Sequence, residues 1–234
     1  MSSLSSCVVL FSGGLDSTTA LYWARKRYDR LELLTFDYGQ KHRLEVEMAA
    51  RTASRLGLRL DILAVDLAAV GASALTDPSV PVPELDALPP DAPLPTSTYV
   101  PFRNGIFLSL AAAWAEARGI GDIVCGFNIL DSPDYPDTGP EFVQAMEHAV
   151  RLGTKAGRRG EPPRIIAPFT HMKKSGIIAL GLELGADYST SVSCYRGGEI
   201  PCGRCPACLL RAHAWEEAGR RDPLLLRLEK EGKI

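Results

Sequence analysis

One stretch, Cys7-Val8-Val9-Leu10-Phe11-Ser12-Gly13-Gly14-Leu15-Asp16-Ser17-Thr18-Thr19-Ala20-Leu21, limits what this chain can fold into. The apolar run at 7–11 is too short for a helix and reads as a buried strand, and the paired glycines let the backbone reverse and approach a ligand closely. A helix is expected to begin where Asp16, Ser17 and Thr18 can cap it. Unpaired amides at a helix start, with the helix dipole behind them, form an anion site. Residues 12–18 are therefore expected to cradle phosphate, the alternative being an ordinary glycine turn between strand and helix.

The remaining chain repeats the same alternation. Helical spacing over 17–27 and the strand Leu31–Phe36 complete a βαβ unit, and the polar turn Asp37–Arg43 falls at the carboxyl end of that strand, where a parallel sheet places its crevice. A helix over 44–56 that Gly57 stops and a strand over 60–65 follow. Residues 76–98 hold seven prolines and little periodicity, and read as a long loop that is either a lid or a solvated insertion. Order resumes with the helix Ile106–Arg118, the strand Asp122–Gly126, a helix over 140–152, a glycine-rich turn over 153–163, the strand Ile165–Phe169 and a helix over 175–184. The pattern predicts an α/β fold, a doubly wound and mostly parallel sheet, over residues 1–188.

Several polar residues fall at the edge of that sheet. Arg103 and Asn104 stand before an apolar helix, where the guanidinium can meet a phosphate, a carboxylate or a structural ion-pair partner. Asp131, Asp134 and Asp137 lie in a loop after a strand, where carboxylates hold substrate or magnesium; Asp134 looks most like a turn former. Lys173 and Lys174 open the last of these helices and either touch phosphates or are solvated.

Residues 189–234 form a second unit. Cys194, Cys202, Cys205 and Cys208 combine CxxCxxC spacing with a fourth thiol eight residues upstream, a set that zinc accepts as a closed structural site. A 4Fe–4S cluster is the competitor. Cys208 leads into the helix Leu209–Ala218, so the metal pins C-terminal helices to the sheet. Cys7 and Cys125 sit in strand-like runs as small buried hydrophobes.

Composition excludes other classes. With 26 basic and 28 acidic residues the chain offers no argument for a nucleic-acid surface. No apolar run approaches the ~20 residues of a bilayer span. The N-terminus lacks the features of a signal peptide, so a cytoplasmic protein is expected.

The first loop is not a Walker A motif, because no lysine follows it. Ser12-Gly13-Gly14-Leu15-Asp16-Ser17 instead resembles the pyrophosphate loop of the N-type ATP pyrophosphatases. Taken with Thr35-Phe36-Asp37-Tyr38-Gly39-Gln40-Lys41-His42-Arg43, Tyr99-Val100-Pro101, Arg103-Asn104, Tyr135-Pro136-Asp137, Glu141-Phe142 and the four cysteines, the chain resembles the 7-cyano-7-deazaguanine synthase family. The resemblance implies a homodimeric ligase. It adenylates 7-carboxy-7-deazaguanine with ATP and magnesium, forms the amide with ammonia, and activates the amide with a second ATP to leave the nitrile.

It also implies residue roles. Leu10, Phe11, Ser12, Gly13, Gly14, Leu15, Asp16, Ser17, Thr18, Thr19 and Ala20 contact ATP, with the pyrophosphate on 12–18 and the adenine near Phe36. Arg103, Asn104, Asp131 and Asp137 surround the deazaguanine or the metal, Asp16 offers a further magnesium ligand, and Lys174 lies near phosphates. Ser132-Pro133-Asp134, Thr138-Gly139, Gly176 and Phe102 depart from the family pattern. Phe102, beside Arg103, is expected to reshape the acceptor pocket. Those departures keep open a paralogue acting on another acid or amine, or one stopping at the amide. A tRNA-thiolating relative would need a catalytic cysteine in the crevice. A nucleic-acid-binding zinc knot is the rival outside enzymes.

Overall fold

A computed structural model describes residues 5–88, 95–128 and 135–234. Asp131 and Ser132–Asp134 lie outside the described residues, as do 89–94 of the proline-rich loop. Five strands, β1 (Ser6–Leu10), β2 (Arg30–Asp37), β3 (Leu60–Ala64), β4 (Asp122–Val124) and β5 (Arg164–Ile166), form one sheet in the order β3-β2-β1-β4-β5. Every pairing is parallel. The chain winds outward from β1 to β3 and then returns to place β4 on the other side of β1. That reversal opens a crevice at the carboxyl ends of β1 and β4.

The period of two along each strand separates two cores. Val9, Leu33 and Val124 face the layer holding α1 (Leu15–Arg25), while Val8, Leu34 and Ile123 face the layer of α3 (Arg103–Arg118). α2 (Leu44–Arg55) follows β2, α4 (Pro140–Gly153) packs under β5, and α6 (Lys174–Glu183) lies beside α1. The turn expected over 153–163 contains a short helix, α5 (Lys155–Arg158), because the Thr154 side chain accepts the Gly157 amide and caps it.

α3 starts three residues earlier than its apolar spacing suggests. Arg103 and Asn104 therefore belong to its first turn. Its N-cap, Phe102, adopts φ 53°, a left-handed conformation that no helix-start residue type announces.

The C-terminal helices α7 (Pro206–Glu217) and α8 (Pro223–Lys230) share cores with the sheet layers. Trp215 of α7 packs edge-on to Tyr188 at 5.3 Å, and Leu224 and Leu228 of α8 pack with Met48 of α2. Residues 80–86 of the proline-rich loop run onto the cysteine segment. Leu85 N–H bonds the Arg204 carbonyl at 2.9 Å, Arg204 pairs with Asp86 at 2.9 Å, and Val82 packs against the cysteines.

Gly126, just after β4, passes against the start of α1. A Cβ there would stand 2.9 Å from the Asp16 carbonyl oxygen, a backbone atom that cannot swing aside. Overpacking of this kind costs about 1–3 kcal/mol. Gly126→Ala is therefore expected to lower the thermal midpoint by roughly 2–12 °C in a chain of this size. An unchanged midpoint in a thermal melt would show that the two loops yield freely.

Candidate active site

The crevice holds a cavity of about 310 Å³. Leu10, Phe11, Ser12, Gly14, Leu15, Asp16, Ser17, Phe36, Arg103, Asn104 and Lys174 line it, so most of the residues picked out in the sequence converge there. Gly13, Thr18, Thr19, Ala20 and Asp137 are not in its wall. Gly13 (φ 84°) passes beneath α2, where a Cβ would lie 2.8 Å from the Glu45 carbonyl oxygen. Thr19 and Ala20 are buried in the core, and the Thr19 hydroxyl meets Tyr188 at 2.7 Å.

The helix start differs from the expected one. Gly14, not Asp16, Ser17 or Thr18, occupies the N-cap, and no side chain caps the helix. The Ser17 and Thr18 hydroxyls donate back to the Gly14 carbonyl at 3.0 and 2.8 Å. Hydroxyls already inside the first turn bond to carbonyls three or four residues back rather than to the leading amides. Those amides are left for a ligand, which is what an anion site requires.

At the same end, Lys174 Nζ bonds Asp16 Oδ2 at 2.8 Å, while Asp16 Oδ1 is buried with no hydrogen-bond partner. A buried, orphaned carboxylate oxygen beside a phosphate cradle fits a hard divalent cation. Deeper in the cavity Phe36 stacks on Phe107 at 4.0 Å and 7°, a flat apolar platform for a planar ring.

On the opposite wall, Arg103 Nη1 donates to the Tyr38 hydroxyl at 3.2 Å, and its guanidinium lies 5.7 Å from that ring. Burial pushes the Tyr38 and Tyr195 hydroxyls up, so both are neutral around this cation. No described carboxylate pairs with Arg103. Next to it, His42 Nε2 stands 3.3 Å from Glu45 and 3.4 Å from the Tyr38 hydroxyl.

Asp137 sits behind this wall. Its Oδ2 accepts the Asn104 amide at 2.9 Å, and its carbonyl accepts the Asn104 side chain at 3.1 Å, so it pins the start of α3. Phe102 is also outside the cavity. Its ring lies over Gly105 and edge-on to Phe142 at 5.9 Å and is 53% exposed, which removes it as a shaper of the acceptor pocket.

Glu45, Ser193 and Arg211 line the cavity without having been foreseen. Glu45 lies three residues past His42 of the polar turn, and Arg211 is three residues past Cys208, so helical spacing was the available clue. Cys125 reaches the wall too. It is fully buried, its Sγ donates to the Ile166 carbonyl, and burial pushes its thiol up to about 12, so it is no nucleophile.

The four C-terminal cysteines place one sulfur each within 4.8 Å of one another. Tetrahedral zinc–thiolate bonds set sulfurs about 3.8 Å apart, so the set closes on one metal with little movement. Backbone amides of Cys202 and Cys205 point at Cys194 and Cys202 sulfurs, at 3.5 and 3.3 Å. Thiol hydrogen bonds from Cys205 and Cys208 hold Cys194 far below the usual thiol range. Cys205 occupies the N-cap position of α7 and Cys208 lies in its first turn, where the dipole favours thiolates.

The chain matches the queuosine biosynthesis protein QueC family over residues 6–219. It is 46% identical over 218 residues to the 7-cyano-7-deazaguanine synthase of Thermoplasma acidophilum, covering 93% of this chain and 90% of that one. It is 44% identical over 221 residues to the synthase of the same name from Nostoc sp., covering 93% and 95%. Among solved structures, a 4-thiouridine synthetase–RNA complex with bound ATP superposes at a TM-score of 0.50 and 22% identity. That match covers 97% of this chain and 53% of the synthetase, and the likeness is one of fold.

Cys7, like Cys125, is pushed up to about 12 by burial. Alkylation at pH 8 should therefore label none of the six cysteines in metal-loaded protein and the four of the knot after chelation, with all six reacting only on denaturation. Labelling of Cys125 in the native protein, read by mass spectrometry, would contradict this.

Proposed function

The chain belongs to the queuosine biosynthesis protein QueC family, and we propose that it converts 7-carboxy-7-deazaguanine, ammonia and ATP to 7-cyano-7-deazaguanine. The observation that carries the reading is the pairing, across one cavity, of an uncapped helix start with a half-buried arginine that has no described acid partner. The first suits a triphosphate and the second a carboxylate.

A carboxylate resists ammonia because oxide would have to leave. Transfer of AMP to its oxygen supplies a better leaving group. In this reading Arg103 holds the acid, the Phe36–Phe107 platform takes the adenine, and the amides following Gly14 receive the departing pyrophosphate. Ammonia attacks the activated carbon, the C–O bond to AMP breaks, and the excess proton is lost to solvent. The amide oxygen then takes AMP from a second ATP, and loss of that AMP with two protons from nitrogen leaves the nitrile.

Asp16 would hold magnesium, which when bound neutralises phosphate oxygens; Lys174 holds that carboxylate in place. Zinc in the four-cysteine knot would be structural, since the thiolates leave no open position. Asn104 orients the acid with Arg103, while Asp137 acts through Asn104. Asp131 remains proposed at the acceptor side. The near balance of 26 basic and 28 acidic residues supports a small-molecule enzyme over a nucleic-acid binder. By family resemblance it works as a cytoplasmic homodimer.

Mass spectrometry of products from 7-carboxy-7-deazaguanine, ATP, magnesium and ammonium should show the nitrile; an amide end product or no reaction would favour a paralogue's chemistry. Arg103→Met is expected to raise KM for the acid at least about tenfold, the worth of a charge-assisted hydrogen bond, with KM for ATP nearly unchanged. An effect confined to ATP would overturn the assignment of Arg103 to the acid.

A further inference from the structure

Ser193 and Arg211 line the cavity, yet neither belongs to the strand ends that a parallel sheet turns toward its ligand. Arg211 lies on α7, one helical turn after Cys208, and is 4% exposed. Its Nε and Nη2 bond both oxygens of Asp222, at 2.6 and 2.9 Å, and its Nη1 donates to the Ser191 and Ser193 hydroxyls at 3.2 and 3.1 Å. Asp222 also caps α8 through the Leu224 amide. A guanidinium clamped in this way has a fixed direction.

That clamp decides what Ser193 can do. A hydroxyl oxygen that accepts from an arginine must turn its own proton elsewhere. Ser193 Oγ has no acceptor among the described residues. The preceding residue is fastened to the phosphate loop: Val192 N–H donates to the Gly13 carbonyl at 3.1 Å, and a Cβ on Gly14 would lie 3.7 Å from the Val192 carbonyl oxygen. An O–H group that is turned away from Arg211 thus stands beside the uncapped start of α1, in the wall of the same cavity.

We propose that Ser193 donates its hydroxyl to the phosphate chain of the bound nucleotide, with Arg211 as the positioning residue that sets its direction. The helix rooted in the cysteine knot then completes the cradle that Ser12–Ser17 begins. This rests on the ATP reading of the cavity.

Calorimetric binding of magnesium-ATP and of inorganic pyrophosphate to the metal-loaded full chain, without acid or ammonia, tests it. Ser193→Ala should weaken both about tenfold, as loss of a hydrogen bond to a charged group does, and Ser193→Thr should restore them. Arg211→Lys should weaken binding in the native background but add less than its own effect to Ser193→Ala, because it acts through that hydroxyl. Equal binding by Ser193→Ala, failure of threonine to restore it, or full additivity of the two changes would overturn the proposal. A native protein that binds neither ligand would instead sink the ATP reading itself.

Discussion

The uncapped amino end of α1 is the constraint on which the rest of the structure depends. A helix whose first amides lack side-chain caps is costly to bury and useful only with an anion on it. The surroundings are shaped to keep it that way. Gly13 lets the loop pass beneath α2, Gly126 lets the end of β4 pass the backbone of Asp16 and Ser17, and Val192 fastens the C-terminal segment to Gly13. Ser17 and Thr18, the residues best able to compete for the amides, spend their hydroxyls on the Gly14 carbonyl.

Charge is distributed across the cavity to match. At the loop, Lys174 and Arg211 are each held by a carboxylate, Asp16 and Asp222, at 2.8 and 2.6 Å. On the far wall the Tyr38 phenol is the one hydrogen-bond partner of Arg103 among the described residues, with neutral tyrosines around it. Drawing a guanidinium out of water without an anion is expensive, so in the proposed reading a ligand carboxylate would gain affinity by pairing with Arg103, which has no acid partner among the described residues. The cysteine knot contributes through α7, whose first turn holds Cys208 and whose second turn holds Arg211.

What could be read in the sequence was what is local. The strand–loop–helix stretch, the alternation that gives the parallel sheet and the four cysteine ligands all lie within short windows, and the structure brings each group together. The expectations that changed depended on partners far along the chain. An aspartate in a loop after a strand reads as a ligand, but Asp137 spends its carboxylate on an amide 33 residues earlier. Phe102 reads as an intruder beside Arg103, whereas its left-handed backbone turns the ring onto Gly105 and Phe142. Ser193 and Arg211 lie beside the cysteine motif, yet their place in the cavity wall with the phosphate loop needs a fold to bring it about.

The most direct test of the account is the fate of the acid's own oxygens. With both carboxylate oxygens of 7-carboxy-7-deazaguanine labelled with oxygen-18, adenylation followed by loss of AMP at both stages predicts two AMP molecules per nitrile. Each should carry one heavy oxygen on phosphorus, with pyrophosphate unlabelled. Unlabelled AMP, or ADP and phosphate in its place, would contradict it.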